Sequence, residues 1–135
     1  MMVDQTIFHD PESGQIGNCL QAAVASLLDV DIEEVPHFAL NADWDKQLKD
    51  WLLNRRLAWF KVGLLEVPDM LCILAGTSPR GIKHVVIGRG THTIHDPHPD
   101  RSGLKSIDSA WIFAPFLPDP EWLVAKRDAQ PRGEE

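Results

Sequence analysis

A cysteine stands where a helix is expected to begin, in the stretch GNCLQAAVASLL that runs from Gly17 to Leu28. Asn18 is a residue type that favours helix N-caps, and the residues after Cys19 are mostly good helix formers. Free backbone N–H groups and the helix dipole favour negative charge in a first turn, so a thiol ionises readily there. The position predicts that Cys19 is a nucleophile; the alternative is a small buried residue of a core helix.

A base and an acid that would serve such a nucleophile occur in the second half of the chain. His84 lies in the run KHVV, and Asp96 follows the next predicted strand, directly before Pro97. Cysteine catalysis needs a base within hydrogen-bonding reach of the sulfur and a third group that orients the base. A histidine on one strand and a carboxylate at the end of the next can supply both. Alternatively, His84 is an ordinary strand residue and Asp96 starts a turn.

The run HTIHDPH is also dense in potential metal ligands, namely His92, His95, Asp96 and His98. Side chains alternate along a strand, so His92 and His95 would point to opposite faces of the sheet. No further ligand that would close the coordination is identifiable elsewhere in the chain. We therefore expect no metal and no other cofactor, and a metal-dependent hydrolase remains the less favoured alternative.

Composition and charge limit the class of protein. With 135 residues, 24% charged and 44% hydrophobic, the chain predicts one globular domain, assigned to residues 1–125, and a polar, flexible tail over residues 126–135. The net charge of −7 argues against nucleic acid as a partner. No signal peptide or membrane-spanning run is visible, so we expect a cytoplasmic protein that does not bind a membrane.

Two cysteines in a chain of this length do not form a disulfide framework. Reduced thiols are the simpler interpretation, although the spacing of Cys19 and Cys72 does not exclude a bond between them. Cys72 lies in the apolar run MLCILA and is expected to be a buried, inert strand residue.

The predicted elements indicate an α+β fold in which N-terminal helices pack on an antiparallel sheet. Helical periodicity predicts helices from about Cys19 to Leu28 and from about Asp43 to Asn54. Apolar and β-branched runs predict strands at residues 57–62, 70–75, 82–87, 91–95 and 110–113.

In combination, these motifs resemble the papain-like cysteine peptidase superfamily, and most closely the double-glycine leader peptidases of bacteriocin exporters. The resemblance rests on Gly17-Asn18-Cys19 opening an alanine-rich helix, on His84-Val85-Val86 and on Asp96-Pro97. The chain also resembles small proteins of tailed phages and prophages. The shared motifs are Gln5-Thr6, Gly17-Asn18-Cys19, Glu34-Val35-Pro36-His37-Phe38 and His95-Asp96-Pro97-His98-Pro99, which together span about residues 3 to 104.

This resemblance implies a minimal papain-like fold with a catalytic triad, in which Cys19 is the nucleophile, His84 the base and Asp96 the orienting acid. It also implies an oxyanion hole made by a glutamine side chain and the backbone N–H of Cys19. Gln5 is favoured because it aligns with the Gln-Thr of the phage proteins, and Gln15 is the alternative. The substrate groove would be shallow and built from the loops around residues 10–17, 37–43, 78–81 and 97–103.

The favoured function is therefore a cysteine hydrolase that acts on a peptide or another small amide, in the host cytoplasm if the chain is phage-encoded. One alternative is an acyltransferase, similar to transglutaminase, on the same fold. Another is a catalytically inactive module that binds a host protein through exposed tryptophans. The chain has five tryptophans and no tyrosine: Trp44, Trp51, Trp59, Trp111 and Trp122.

The triad requires the side chains of His84 and Asp96 to lie on one face of the sheet, and this depends on the hairpin turn. A two-residue turn at 89–90 would direct Asp96 to the opposite face. A three-residue loop at 88–90 would pair His84 with Ile94 and return Asp96 to the same face. The triad thus predicts the three-residue loop, with a bulge and with Gly90 at positive φ.

Overall fold

A computed structural model describes residues 1–116 and 121–129. The chain is an α+β fold, as predicted, with helices and one five-stranded antiparallel sheet. No helix in the described part of the chain is long and apolar enough to cross a membrane.

Helix α1 spans Cys19–Leu28, as its sequence predicts, and helix α2 spans Trp44–Asn54. The strands are β1 (Leu57–Val62), β2 (Leu71–Thr77), β3 (Lys83–Arg89), β4 (His92–His95) and β5 (Ser106–Pro115). Short 3-10 helices occupy Ile32–Glu34, Phe38–Leu40 and Leu64–Glu66.

A third helix, α3, spans Glu121–Asp128 and has no counterpart among the predicted elements. Residues 126–128, assigned from the sequence to a flexible tail, therefore continue a helix. Residues 130–135 of that tail lie outside the described residues.

The strand order is β1-β5-β2-β3-β4, so β2 and β3 lie in the interior of the sheet. Strand β3 is buried on both faces, which explains why its sequence is a nearly continuous apolar run rather than an alternating one. On one face, Val85 and Ile87 pack in the same cluster as α1; on the other, Val86 packs with Leu74 and Ile112. The small residues Ala22, Ala23 and Ala25 are fully buried and let α1 lie close to its neighbours.

The β3–β4 turn has two residues, Gly90 and Thr91, so the predicted three-residue loop is wrong. The predicted positive φ of Gly90 is confirmed at 58°. Gly88 is part of β3 and not of the turn. A glycine is needed there for close packing. A Cβ at Gly88 would lie 2.5 Å from a methyl of Leu74 and 3.0 Å from the carbonyl oxygen of His92.

A β-bulge at Ile94 shifts the register of β4 by one residue. Gly88 pairs with Thr93, but Ile87 pairs with His95, so Ile94 is the extra residue on β4. The ladder ends at the Ile87–His95 pair, and Asp96 follows directly after β4. The expected bulge is therefore present, but it lies within the strand and not in the loop.

A second bulge lies between β2 and β5. Ala75 pairs with Ser109, and Gly76 with Ile107, which leaves Asp108 as the extra residue. Gly76 is required at this point, since a Cβ would lie 1.9 Å from the carbonyl oxygen of Ser106. Bulges redirect side chains, and the carboxylate of Asp108 lies 3.1 Å from the ammonium of Lys83.

Candidate active site

The start of α1 is held by a buried asparagine that works differently from the predicted cap. Asn18 occupies the N-cap position, and its carbonyl accepts the N–H of Ala22 at 3.0 Å, but its side chain makes no capping bond. The side-chain oxygen instead accepts the backbone N–H groups of Thr6 and Ile7, at 2.9 and 2.8 Å. Because two donors from the N-terminal segment occupy this oxygen, the first turn of α1, with Cys19, keeps N–H groups that no capping side chain occupies.

We expect Asn18→Ala to lower the free energy of unfolding by about 2–4 kcal/mol. The substitution leaves the backbone N–H groups of Thr6 and Ile7 without an acceptor, and it removes the side-chain amide that donates to Gln21 at 3.1 Å. Asn18 is only 1% exposed, so water does not replace these bonds. Denaturant unfolding followed by tryptophan fluorescence measures the change. The matched control is the exposed Asn41→Ala, for which we expect less than about 0.5 kcal/mol. Equal losses in both variants would contradict this role of Asn18.

The structure brings His84 and Asp96 into direct contact. Nε2 of His84 lies 2.6 Å from Oδ1 of Asp96, and both side chains are almost fully buried. The carboxylate also accepts the backbone N–H groups of His98, at 2.9 Å, and Gly103, at 2.8 Å. Asp96 therefore both starts a turn and forms a hydrogen bond with His84, so the two interpretations of this residue do not exclude each other.

The charge state of this pair follows from its surroundings. Burial raises the pKa of Asp96, but the hydrogen bonds from His84, His98 and Gly103 outweigh it, so the net pKa lies below the usual range. Burial likewise opposes the charged form of His84, but hydrogen bonds to Asp96 and Cys19 and the charges of both raise its pKa to about 9. The pair is thus an imidazolium and a carboxylate at neutral pH.

The proton positions are determined by the same contacts. A carboxylate can only accept, so Nε2 of His84 carries the hydrogen that Asp96 receives. This leaves Nδ1 as the ring nitrogen available for proton exchange with a neighbour. Cys19 and His84 line the same two cavities, and Cys19 is partly exposed in them. The arrangement can therefore present a thiol and a proton donor to one bound group.

Gln5 is the glutamine that the fold brings to Cys19. It is 6% exposed and lines a cavity of about 110 Å³ together with Cys19 and His84. One hydrogen of its Nε2 is donated to the carbonyl of Ile7 at 2.9 Å, and the other remains available. Gln15 is exposed and donates to the carbonyl of Phe8 at 2.7 Å. The fold thus brings Gln5, and not Gln15, to the cavity that Cys19 lines.

The N-terminal segment that carries Gln5 is anchored on the loop after β4. The backbone N–H of Gln5 donates to the carbonyl of Pro97 at 3.0 Å. Arg101 forms a two-pronged ion pair with Asp4, at 2.6 and 3.0 Å, and also donates to the carbonyl of Asp96. Sequence reasoning missed Asp4 and Arg101, and their separation in the chain carries no local signal that they would meet.

A second, larger cavity of about 540 Å³ is also lined by Cys19 and His84. Trp44, Lys61 and Trp111 line it. The two tryptophans belong to the set considered above as a surface for a host protein, whereas Lys61 was not a candidate residue. Each of the four loops expected to form the groove contributes a residue to one cavity or the other: Ile16, Ala39, Arg80 and His98.

The histidine-rich run does not assemble a metal centre. His95 bonds to the carbonyl of Val3 and to Asp4. His98 packs against Phe8 with the two rings tilted by 59°, and it accepts a backbone N–H. Within residues 1–116 and 121–129, no group of three or more His, Cys, Asp or Glu side chains is arranged to hold a metal ion.

Both cysteines are free thiols, and Cys72 is fully buried in β2, as expected from its apolar run. Burial raises the pKa of the Cys72 thiol, which keeps it neutral and unreactive. Comparison of this chain with known protein families, curated proteins and solved structures finds no match.

Proposed function

We propose that this protein is a papain-like cysteine hydrolase that cleaves a peptide or another small amide through a thioester on Cys19. One observation carries the proposal: the buried His84–Asp96 pair adjoins a partly exposed cysteine at the first position of a helix. A structural histidine would not need a buried carboxylate with three donors, next to a thiol that opens into two cavities.

In the proposed reaction, the sulfur of Cys19 attacks the amide carbonyl carbon, and the carbonyl oxygen becomes an oxyanion. The backbone N–H of Cys19 and the free Nε2 hydrogen of Gln5 stabilise this oxyanion. His84 gives its Nδ1 proton to the leaving nitrogen as the carbon–nitrogen bond breaks. His84 then takes a proton from water, which attacks the thioester, and the carboxylic product leaves as the thiolate of Cys19 re-forms.

The fold supports the papain-like assignment through the position of each group. The nucleophile opens a helix that packs on an antiparallel sheet, the base begins strand β3, and the acid follows strand β4. Free thiols suit a reducing compartment, and we place the enzyme in the cytoplasm, which is that of the host if a phage encodes it.

The first test is the selectivity of thiol alkylation. We expect iodoacetamide at pH 7 to label Cys19 in the folded protein at least about 100-fold faster than Cys72. The expectation follows from the His84 imidazolium beside Cys19 and from the complete burial of Cys72. Peptide mass spectrometry after timed quenching reads both sites in one sample.

The control is the same reaction in denaturant, where both thiols are exposed and should react at similar rates. Equal labelling of the two cysteines in the folded protein, or faster labelling of Cys72, would remove Cys19 as the nucleophile.

A further inference from the structure

The larger cavity beside Cys19 has aromatic walls that are already fixed in place. The rings of Trp44 and Trp111 stack with centroids 5.7 Å apart and planes inclined by 21°. Trp59 packs behind them, 4.9 Å from Trp111 and 6.1 Å from Trp44. We call the cavity bounded by Trp44, Trp111 and Lys61 the tryptophan cleft. Since the three rings brace one another, little side-chain freedom is lost when a ligand enters.

One positive charge in the cleft has no carboxylate partner. Nζ of Lys61 lies 5.1 to 5.9 Å from the centroids of the three indole rings. Lys61 forms no ion pair with any residue in the described ranges. Of the other charged residues that line the cleft, Lys83 and Asp108 pair with each other, and the His84 imidazolium pairs with Asp96. The cleft is thus locally positive in a chain whose net charge is −7.

The two cavities that meet at Cys19 accept groups of different size. The one beside Gln5 holds about 110 Å³, which suits a small group, whereas the tryptophan cleft holds about 540 Å³. Cavities of several hundred Å³ with aromatic walls and a few polar groups are typical of ligand sites. Indole faces bind flat, apolar groups, and an unpaired ammonium attracts an anion.

We infer that the tryptophan cleft is the substrate subsite next to the scissile bond and that it takes an aromatic group bearing a negative charge. This inference rests on the proposed hydrolase and specifies its substrate class: an amide with a bulky, acidic aromatic part on one side and a small group on the other. In a peptide, an aromatic residue beside an acidic residue or a terminal carboxylate meets this description.

Two alkylating probes with the same reactive group test the inference. Iodoacetamide is small and neutral, whereas the iodoacetamide derivative of aminonaphthalene sulfonate is aromatic and anionic. The preference of a thiol is its labelling rate by the naphthalene sulfonate probe divided by its labelling rate by iodoacetamide. We expect this preference to be at least about fivefold higher for Cys19 than for glutathione. Lys61→Met should abolish most of this preference and Lys61→Glu should reverse it. Lys105→Met, at another exposed lysine, should leave it unchanged.

The outcomes separate the subsite from the function. If iodoacetamide labels Cys19 rapidly but the naphthalene sulfonate probe shows no preference in the wild type, or the Lys61 variants retain the preference, the subsite is wrong and the hydrolase stands. If iodoacetamide does not distinguish Cys19 from Cys72, the hydrolase itself fails. Trp44→Ala is a second variant expected to reduce the preference, and the exposed Lys61 variants carry the test if it does not fold.

Discussion

Replacing His84 by alanine is expected to slow the alkylation of Cys19 by iodoacetamide at pH 6 by about 10-fold to 100-fold. Iodoacetamide reacts with thiolates, and the imidazolium of His84 is the positive charge that adjoins Cys19 inside a buried site. At pH 9 and above an ordinary thiol ionises without help, so the difference between the variant and the wild type should shrink. The measurement is the rate of Cys19 labelling from pH 5 to pH 10. His84→Gln, which keeps most of the ring volume, covers the case in which the alanine variant unfolds.

Asp96→Asn separates the orienting role of Asp96 from its role in the turn. An amide can still accept hydrogen bonds on one side, so the loop after β4 should form, but it cannot stabilise the imidazolium. We expect the labelling rate of Cys19 at pH 6 to fall in the same direction as in the His84 variants. If the His84 variants change the pH profile and Asp96→Asn leaves it untouched, Asp96 is only a turn residue.

The second large effect is the ionisation of His84 and its contribution to stability. Burial alone would lower the pKa of His84, but the contacts with Asp96 and Cys19 raise it to about 9, against an unperturbed value near 6.5. A pKa raised on folding stabilises the protein fully below the unfolded value, and this stabilisation is lost as pH rises through the folded value. The His84 contribution is therefore present at pH 6.5 and below, and it disappears by about pH 10.

The shift corresponds to about 3 kcal/mol. Denaturant unfolding of the wild type and of His84→Gln, at pH values from 6.5 to 10, measures it as a difference. Burial also raises the pKa of the Cys72 thiol, so the free energy of unfolding falls at high pH for this reason as well. Both proteins contain Cys72, and its contribution cancels in the difference between them. Proton NMR should show one histidine ring that titrates near pH 9 and is missing from the variant. A stability difference that is constant across this range would contradict the charged pair.

Local sequence was sufficient for the elements with a strong period and a clear boundary. Helix α1 begins and ends at the predicted residues, because its helix formers follow a Gly-Asn boundary and its apolar residues recur at helical spacing. Strand β1 also has its predicted bounds, and Cys72 lies buried where its apolar neighbours placed it. Helix α3 was missed because its sequence carries no clear apolar face. Trp122 and Leu123 on this helix are exposed.

The site depended on contacts between distant residues that spacing does not encode. Which glutamine reaches Cys19 depends on the anchoring of residues 3–6 to the loop after β4 by Arg101. Asn18 has the residue type of a helix cap, but its side-chain oxygen accepts hydrogen bonds from two backbone N–H groups of the N-terminal segment instead. When a polar side chain has several possible hydrogen-bond partners, the tertiary fold determines which of them it bonds.

The sequence alone determined the residue types that the site contains, the helix that presents Cys19 and the antiparallel sheet that carries His84. Tertiary structure decided whether those residues meet. The β3–β4 hairpin shows why: one residue in a turn inverts every side chain after it, and a bulge inverts them again. The turn was predicted one residue too long and the bulge in the wrong place. The contact of Asp96 with His84 is nevertheless present, and the bulge at Ile94 shifts the register of β4 between the turn and Asp96.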